Sequence, residues 1–156
     1  MKLIVSIFLL VVLFFGCKKY PEDEQFLHLK RPGARIGQYT LWRLTQYTVD
    51  GADSIPYINS KVWSGFPLDK VEFDFKHFDI GYIEFNGISN NRVIAMKFED
   101  NKKKLLIGYT PTTIGYSYPL FLDGKNSWEI KKLEKGVLII EINKNSKVYR
   151  IKFEKI

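Results

Sequence analysis

The chain is 156 residues long, enough for one ordinary domain that buries roughly two-thirds of its unfolded surface. Twelve Phe, nine Tyr and three Trp stand beside many Ile and Val, residues that suit pleated, half-buried strands, and the scarcity of Ala argues against long helices. The 24 basic and 17 acidic residues leave a net charge of +7, which bears on solubility and on attraction to phosphates or acidic surfaces rather than on fold.

The address comes first. Met1 and Lys2 give a short positive start, and Leu3 to Phe15 is then apolar apart from Ser6. This is the layout of a secretory signal, and thirteen residues fall short of the roughly 20 that a membrane-spanning helix needs. Gly16 and Cys17 follow, and Cys17 is the single cysteine.

Here the chain resembles bacterial lipoproteins processed by signal peptidase II, in which a small residue precedes a cysteine that becomes the acylated N-terminus. The resemblance implies lipidation at Cys17, a membrane as partner through the acyl chains, and no thiol left for a disulfide. Cys17-Lys18-Lys19 is similar to the mature start of many Bacteroidota lipoproteins, and Glu22-Asp23-Glu24 to the acidic signal that sends some of them to the cell surface. The implied location is the outer membrane, on its surface or its periplasmic face. Pro21, Pro32 and Gly33 argue against a packed element as far as Arg35. Residues 17–35 are therefore expected to form a flexible tether, which at about 18 residues would span roughly 23 Å.

From residue 36 to 156 the pattern has period two, broken by turn signals. Gln38 to Val49 reads as the first strand, with apolar sets Tyr39 and Leu41, then Trp42 and Leu44, then Tyr47 and Val49. The phase slips twice, as at bulges. Asp50-Gly51 follows as a turn. Val71, Phe73 and Phe75 alternate with Glu72, Asp74 and Lys76. Ile83 and Phe85 precede the hairpin signal Asn86-Gly87. Ile94, Met96 and Phe98 come next, closed by Asp100-Asn101-Lys102, and then Leu105, Ile107 and Tyr109. Thr110 to Pro119 reads as an edge or loop, and Asp123 to Asn126 as a turn. Trp128–Leu133, Val137–Ile142 and Lys147–Phe153 finish the chain. Short strands at this spacing predict an all-β antiparallel up-and-down meander that closes into a barrel of eight or nine strands.

The run Gly37 to Thr45 (GQYTLWRLT), followed by Tyr47 to Ser54 (YTVDGADS), looks like the opening of the lipocalin-like lipoproteins of Bacteroidota, and Trp128 to Leu133 (WEIKKL) looks like their ending. In their glycine-x-tryptophan opening strand, either Tyr39 stands in the tryptophan's place or Thr40 replaces the glycine. The resemblance implies a lipocalin-like barrel whose closed end is plugged by an aromatic, Tyr39 or Trp42, packed on Arg150 of the last strand.

Catalytic constellations are weak. Gly115-Tyr116-Ser117-Tyr118-Pro119 lacks the second glycine of a serine elbow. His28 falls in the tether and His77 at a strand end, without an orienting partner. No metal-ligand spacing occurs, and Asp50 and Asp53 do not follow a calcium loop. Glu72 and Asp74 lie nearly 7 Å apart on one face, but that face alternates with Phe73 and Phe75 and points to water. The scattered lysines read as a solvated surface protecting strand edges. The chain is thus read as no enzyme, with no cofactor, no metal and no nucleic-acid partner.

What remains is inward aromatic volume. The expected function is an outer-membrane-anchored lipoprotein that holds a small apolar or amphipathic ligand in a barrel cup. Its lining would be Tyr39, Trp42, Phe73, Phe75, Phe85, Phe98, Tyr109 and Trp128. The alternative is a filled barrel, structural rather than ligand-binding, that docks on a membrane partner through Ser54 to Leu68 (with Tyr57, Trp63 and Phe66) and Thr110 to Pro119.

Overall fold

The computed structural model describes residues 19–24, 31–37, 41–62, 67–70, 72–74, 83–86, 93–109, 120 and 124–156. Leu3 to Phe15, Cys17, His28, Tyr39, Trp63, Phe66, Phe75, His77 and Thr110–Pro119 lie outside them.

The alternating sequence folds as an antiparallel sheet. Its strands are β1 (Leu41–Val49), β2 (Ala52–Asp53), β3 (Glu72–Asp74), β4 (Ile83–Asn86), β5 (Val93–Glu99), β6 (Lys104–Tyr109), β7 (Gly124–Glu134), β8 (Val137–Lys144) and β9 (Lys147–Lys155). From β3 to β9 each strand pairs with the next, as short connections require. β1 has partners on two edges. On one, Val49 opposes Ala52 of β2 and Trp42 opposes Phe73 of β3; on the other, residues from Trp42 to Val49 oppose β9.

The buried face follows the alternation. Trp42, Leu44, Phe73, Leu105, Trp128, Leu138, Ile140 and Ile151 are all fully buried. The phase slip between Leu44 and Tyr47 is a bulge: the register with β9 shifts between Leu44 and Gln46, Thr45 and Gln46 are exposed, and the apolar set resumes at Tyr47. Phe73 meets Phe153 edge to face at 5.3 Å between ring centroids, the geometry that the ring quadrupoles favour. On the opposite face of β3, Glu72 points outward and pairs with Arg43 at 3.3 Å, as the alternation required.

The hairpins use left-handed residues. Asp50-Gly51, Lys135-Gly136 and Asn145-Ser146 carry positive φ at both central positions, which matches the twist of the flanking strands. Gly136 has φ +75 and its position leaves no room: a Cβ would lie 2.5 Å from the Lys155 side chain, whereas Gly51 (φ +82) faces open space. Both Gly→Ala changes should lose about 1–2 kcal/mol to left-handed strain. Gly136→Ala should cost more than Gly51→Ala, because Lys155 must also move. Urea midpoints of the two variants check the order.

Three expectations need correction. Residues 124–126 are strand, not turn: Gly124, Lys125 and Asn126 pair with Tyr109, Gly108 and Ile107, and the Asn126 side chain is turned inward to donate to the Leu120 carbonyl at 2.8 Å. The all-β expectation placed no helix after Ser54, yet the chain is helical over Ile55–Tyr57 (α2) and Ile58–Val62. Pro56 suits a first helical turn, and the Asp53 carboxylate accepts from the Ile55 N–H at 3.0 Å.

The third correction is the largest. The tether is not a free coil: Pro32–Ile36 is a helical turn (α1), and Tyr20, Asp23, Arg35 and Ile36 are all buried. Pro32 was read as a breaker, but proline is equally at home in the first turn of a helix, where its missing N–H has no partner to lose.

Candidate functional site

The sheet has two ends. One gathers the turns at 100–103 and 135–136, the start of β1, the end of β9, α1 and residues 19–24. The other gathers the turns at 50–51 and 145–146 and Leu120. The first end is closed by chemistry that starts in β7. This strand shifts register against β8 between Ile130 and Lys132, and its ladder with β6 stops at Glu129. Beyond that point the groups on its free edge need partners, because an unpaired buried peptide group costs as much as a lost hydrogen bond.

Residues 20–24 supply those partners. The Glu22 N–H donates to the Lys131 carbonyl at 2.8 Å, and the Asp23 carboxylate accepts from the Leu133 N–H at 2.8 Å. The Arg35 guanidinium donates to the Leu133 carbonyl and lies 3.4 Å from Asp23. The Glu24 N–H is taken by the buried Glu134 carboxylate at 2.7 Å, and Tyr20 donates to the Lys102 carbonyl at 2.9 Å. Arg35 also sits over the Tyr20 ring at 5.3 Å, a cation–π contact that desolvation strengthens. Burial pushes the Tyr20 phenol well above its usual range, against the pull of Arg35. The segment is an edge cover.

An outer layer of ion pairs reinforces the clamp. Arg150 grips Glu22 with two hydrogen bonds of 2.8 and 2.5 Å and reaches Glu141 at 3.1 Å. Glu24 lies between Lys132 and Lys135 at 2.9 and 2.8 Å. The hydrogen bond from Arg150 holds the Glu22 carboxyl below the usual range, and those from Lys135 and Lys132 bring exposed Glu24 down to about 2. Because both carboxyls titrate lower in the folded chain, their contribution is present above about pH 4.5 and fades as pH falls through the folded values. Acid should therefore release residues 20–24 before the sheet opens, and salt should have the same sense. Hydrogen exchange at pH 6 and pH 2.5 checks this: the Glu22 and Glu24 amides should lose protection while Ile140 and Ile151 keep theirs.

The sequence-predicted site residues separate into groups. Trp42, Phe73 and Trp128 share the buried face, with Trp42 directly opposite Phe73. Phe98 is half-buried against the same core. Phe85 and Tyr109 lie on β4 and β6, with side chains outside the described set, as are Tyr39 and Phe75 altogether. The pairing of Trp42 with Arg150 is overturned. Trp42 opposes Lys155 and Arg150 opposes Thr48, six positions apart in the ladder, and the guanidinium is taken by Glu22 and Glu141. Trp42 donates instead to the Ile36 carbonyl of α1 at 3.3 Å. The arginine buried at the end that residues 19–24 cover is Arg35.

Higher in the sheet the buried face turns polar. Asn126 donates to the Leu120 carbonyl and accepts from Lys144, both at 2.8 Å. Burial raises the Tyr47 phenol, helped by Tyr149. Between the two ends lies Trp128, fully buried, whose indole Nε1 has no hydrogen-bond partner among the described residues. Comparison of the chain with protein-family models, with curated proteins and with solved structures finds no match.

Proposed function

We propose that this chain is a lipid-anchored, non-enzymatic binding protein of lipocalin-like form, acylated at Cys17 and held at the outer membrane, whose sheet closes into an eight-stranded up-and-down barrel. Support for closure comes from β1, which pairs with β3 on one edge and β9 on the other, so that the ladder returns to its first strand. An eight-stranded barrel of this kind is just wide enough to be filled by side chains or to hold one small ligand.

One observation carries the binding reading: the fully buried Nε1 of Trp128, which has no partner among the described residues. A buried donor left unsatisfied costs about 1–3 kcal/mol, and buried indoles normally find an acceptor. The ligand that fits is a small apolar or amphipathic molecule with an oxygen acceptor directed at this N–H. Trp128→Phe keeps the ring packing and removes the donor. Its apo stability should stay within about 1 kcal/mol of the parent, because the parent gains nothing from an unmade bond. Native mass spectrometry of protein purified from its own host should show a retained mass on the parent that Trp128→Phe weakens or loses. No retained mass on either protein would overturn the cup.

A second reading has its own support. Trp42, Phe73, Trp128, Ile140 and Phe153 are each no more than 1% exposed, the packing of a filled core. In that case the protein docks on a membrane partner, and Tyr57, which is 63% exposed on α2, is an aromatic of the kind that anchors interfaces.

A further inference from the structure

The clamp begins very early in the mature chain. Lys19 donates to the Asn101 carbonyl at 2.7 Å, and Tyr20 is already fully buried. Cys17 stands two residues before Lys19. Two peptide steps span at most about 7.6 Å between Cα atoms. On the lipoprotein reading, an acyl group on Cys17 would be joined to the domain by a leash of only two residues before Lys19, whose side chain is held at the turn at 100–103.

That turn is basic. Lys19, Lys102 and Lys103 are exposed and, among the described residues, none of them forms an ion pair. The carboxylates nearby are already engaged: Asp100 lies 3.9 Å from Lys104, and Glu129 lies 2.7 Å from Lys131. A cleft of about 340 Å3 opens between Tyr20, Pro21, Lys103 and Lys104. The opposite end, with the Asn145-Ser146 turn, is the length of β8 away, roughly 23 Å for eight residues.

We infer that the domain sits flush on the membrane, closed end down, with Lys19, Lys102 and Lys103 resting on anionic phospholipid headgroups and the 50–51 and 145–146 turns facing away. This rests on the lipoprotein reading of Cys17 and sharpens it. The clamp acquires a purpose under this arrangement. By fastening residues 19–24 to β7 it shortens the anchor, fixes which end meets the lipid, and leaves the far end free for a ligand or partner. Charge supplies the attraction once the anchor has brought the lysines within a Debye length of the surface.

The test uses the full chain, expressed with its signal and purified in lipidated form. Mass spectrometry of the N-terminal peptide comes first: an unmodified Cys17 overturns the lipoprotein reading itself, whatever the domain's orientation. With the lipid in place, a spin label is put at Ala34→Cys, exposed on α1, or at Val148→Cys, exposed beside the far turn. Each protein is reconstituted into vesicles of phosphatidylcholine and phosphatidylglycerol doped with a nickel-chelating lipid. Relaxation of the label at 34 is expected to be enhanced several-fold over that at 148. Lys102→Glu with Lys103→Glu should reduce the difference, and so should Glu22→Ala with Glu24→Ala, which loosens the clamp without touching the core. Equal relaxation at both positions on the acylated protein would overturn the orientation. A difference that the lysine reversals leave unchanged would overturn the headgroup contact.

Discussion

Replacing Asp23 by Ala is expected to destabilise the domain by about 3–5 kcal/mol, the cost of leaving a buried partner charge uncompensated. Asp23 is fully buried, accepts from the Leu133 N–H at 2.8 Å and faces Arg35 at 3.4 Å. Its loss strands a buried guanidinium and reopens the edge of β7 at the same stroke. Arg35→Met removes the other half of the pair and should cost a comparable amount. The double change Asp23→Ala, Arg35→Met should cost clearly less than the sum, because no lone charge remains and the thioether chain covers part of Tyr20. Chemical denaturation of the four proteins closes the cycle. A change below about 1 kcal/mol in Asp23→Ala would mean that residues 20–24 do not pack on the folded domain, since that is the range of an exposed pair.

Trp42→Ala should cost about as much, roughly 3–5 kcal/mol, the range for emptying a large aromatic site in a core. Trp42 is fully buried, lies against Phe73 across β1 and β3, and ties α1 to the sheet through its bond to the Ile36 carbonyl. Trp42→Phe retains most of the ring volume and loses that bond, so it should fall in between. Arg150→Ala is the control. Its guanidinium is 29% exposed and holds Glu22 and Glu141 at the surface, so a loss of about 1 kcal/mol is expected, as for surface pairs. Thermal melts of the three variants should rank Trp42→Ala lowest. An Arg150→Ala melt as low as that of Trp42→Ala would restore Arg150 to the packing around Trp42.

The two losses also differ in what they release. Asp23→Ala should free residues 19–24 from β7 even where the sheet survives, whereas Trp42→Ala loosens α1 and β1 together. Limited proteolysis at native temperature separates them: cleavage near residue 24 in the first, near residues 37–41 in the second.

By itself, the sequence determined most of the strands and, where side chains are described, the alternation that turns residues inward. Phe73 between Glu72 and Asp74, or Met96 two residues before Phe98, states the period of a pleated strand, and the side chain's side of the sheet follows from position alone. The Leu44 to Tyr47 slip was equally legible, because a bulge inserts one residue and shifts the phase of every apolar position after it. A turn such as Asp50-Gly51 announces itself through residues that tolerate positive φ. Tertiary structure alone decided the rest. Tyr20, Asp23 and Arg35 carry no period, and their partners, the Lys102 carbonyl for Tyr20 and Leu133 of β7 for the other two, lie far along the chain, so nothing local marks them as buried. Asp23 is in the core only because β7 runs past the end of β6 and leaves peptide groups that a carboxylate and a guanidinium can satisfy. Arg150 could be placed on the last strand from sequence, but which end of the sheet it occupies depends on the register with β1. Register is a property of paired strands, and no single strand contains it.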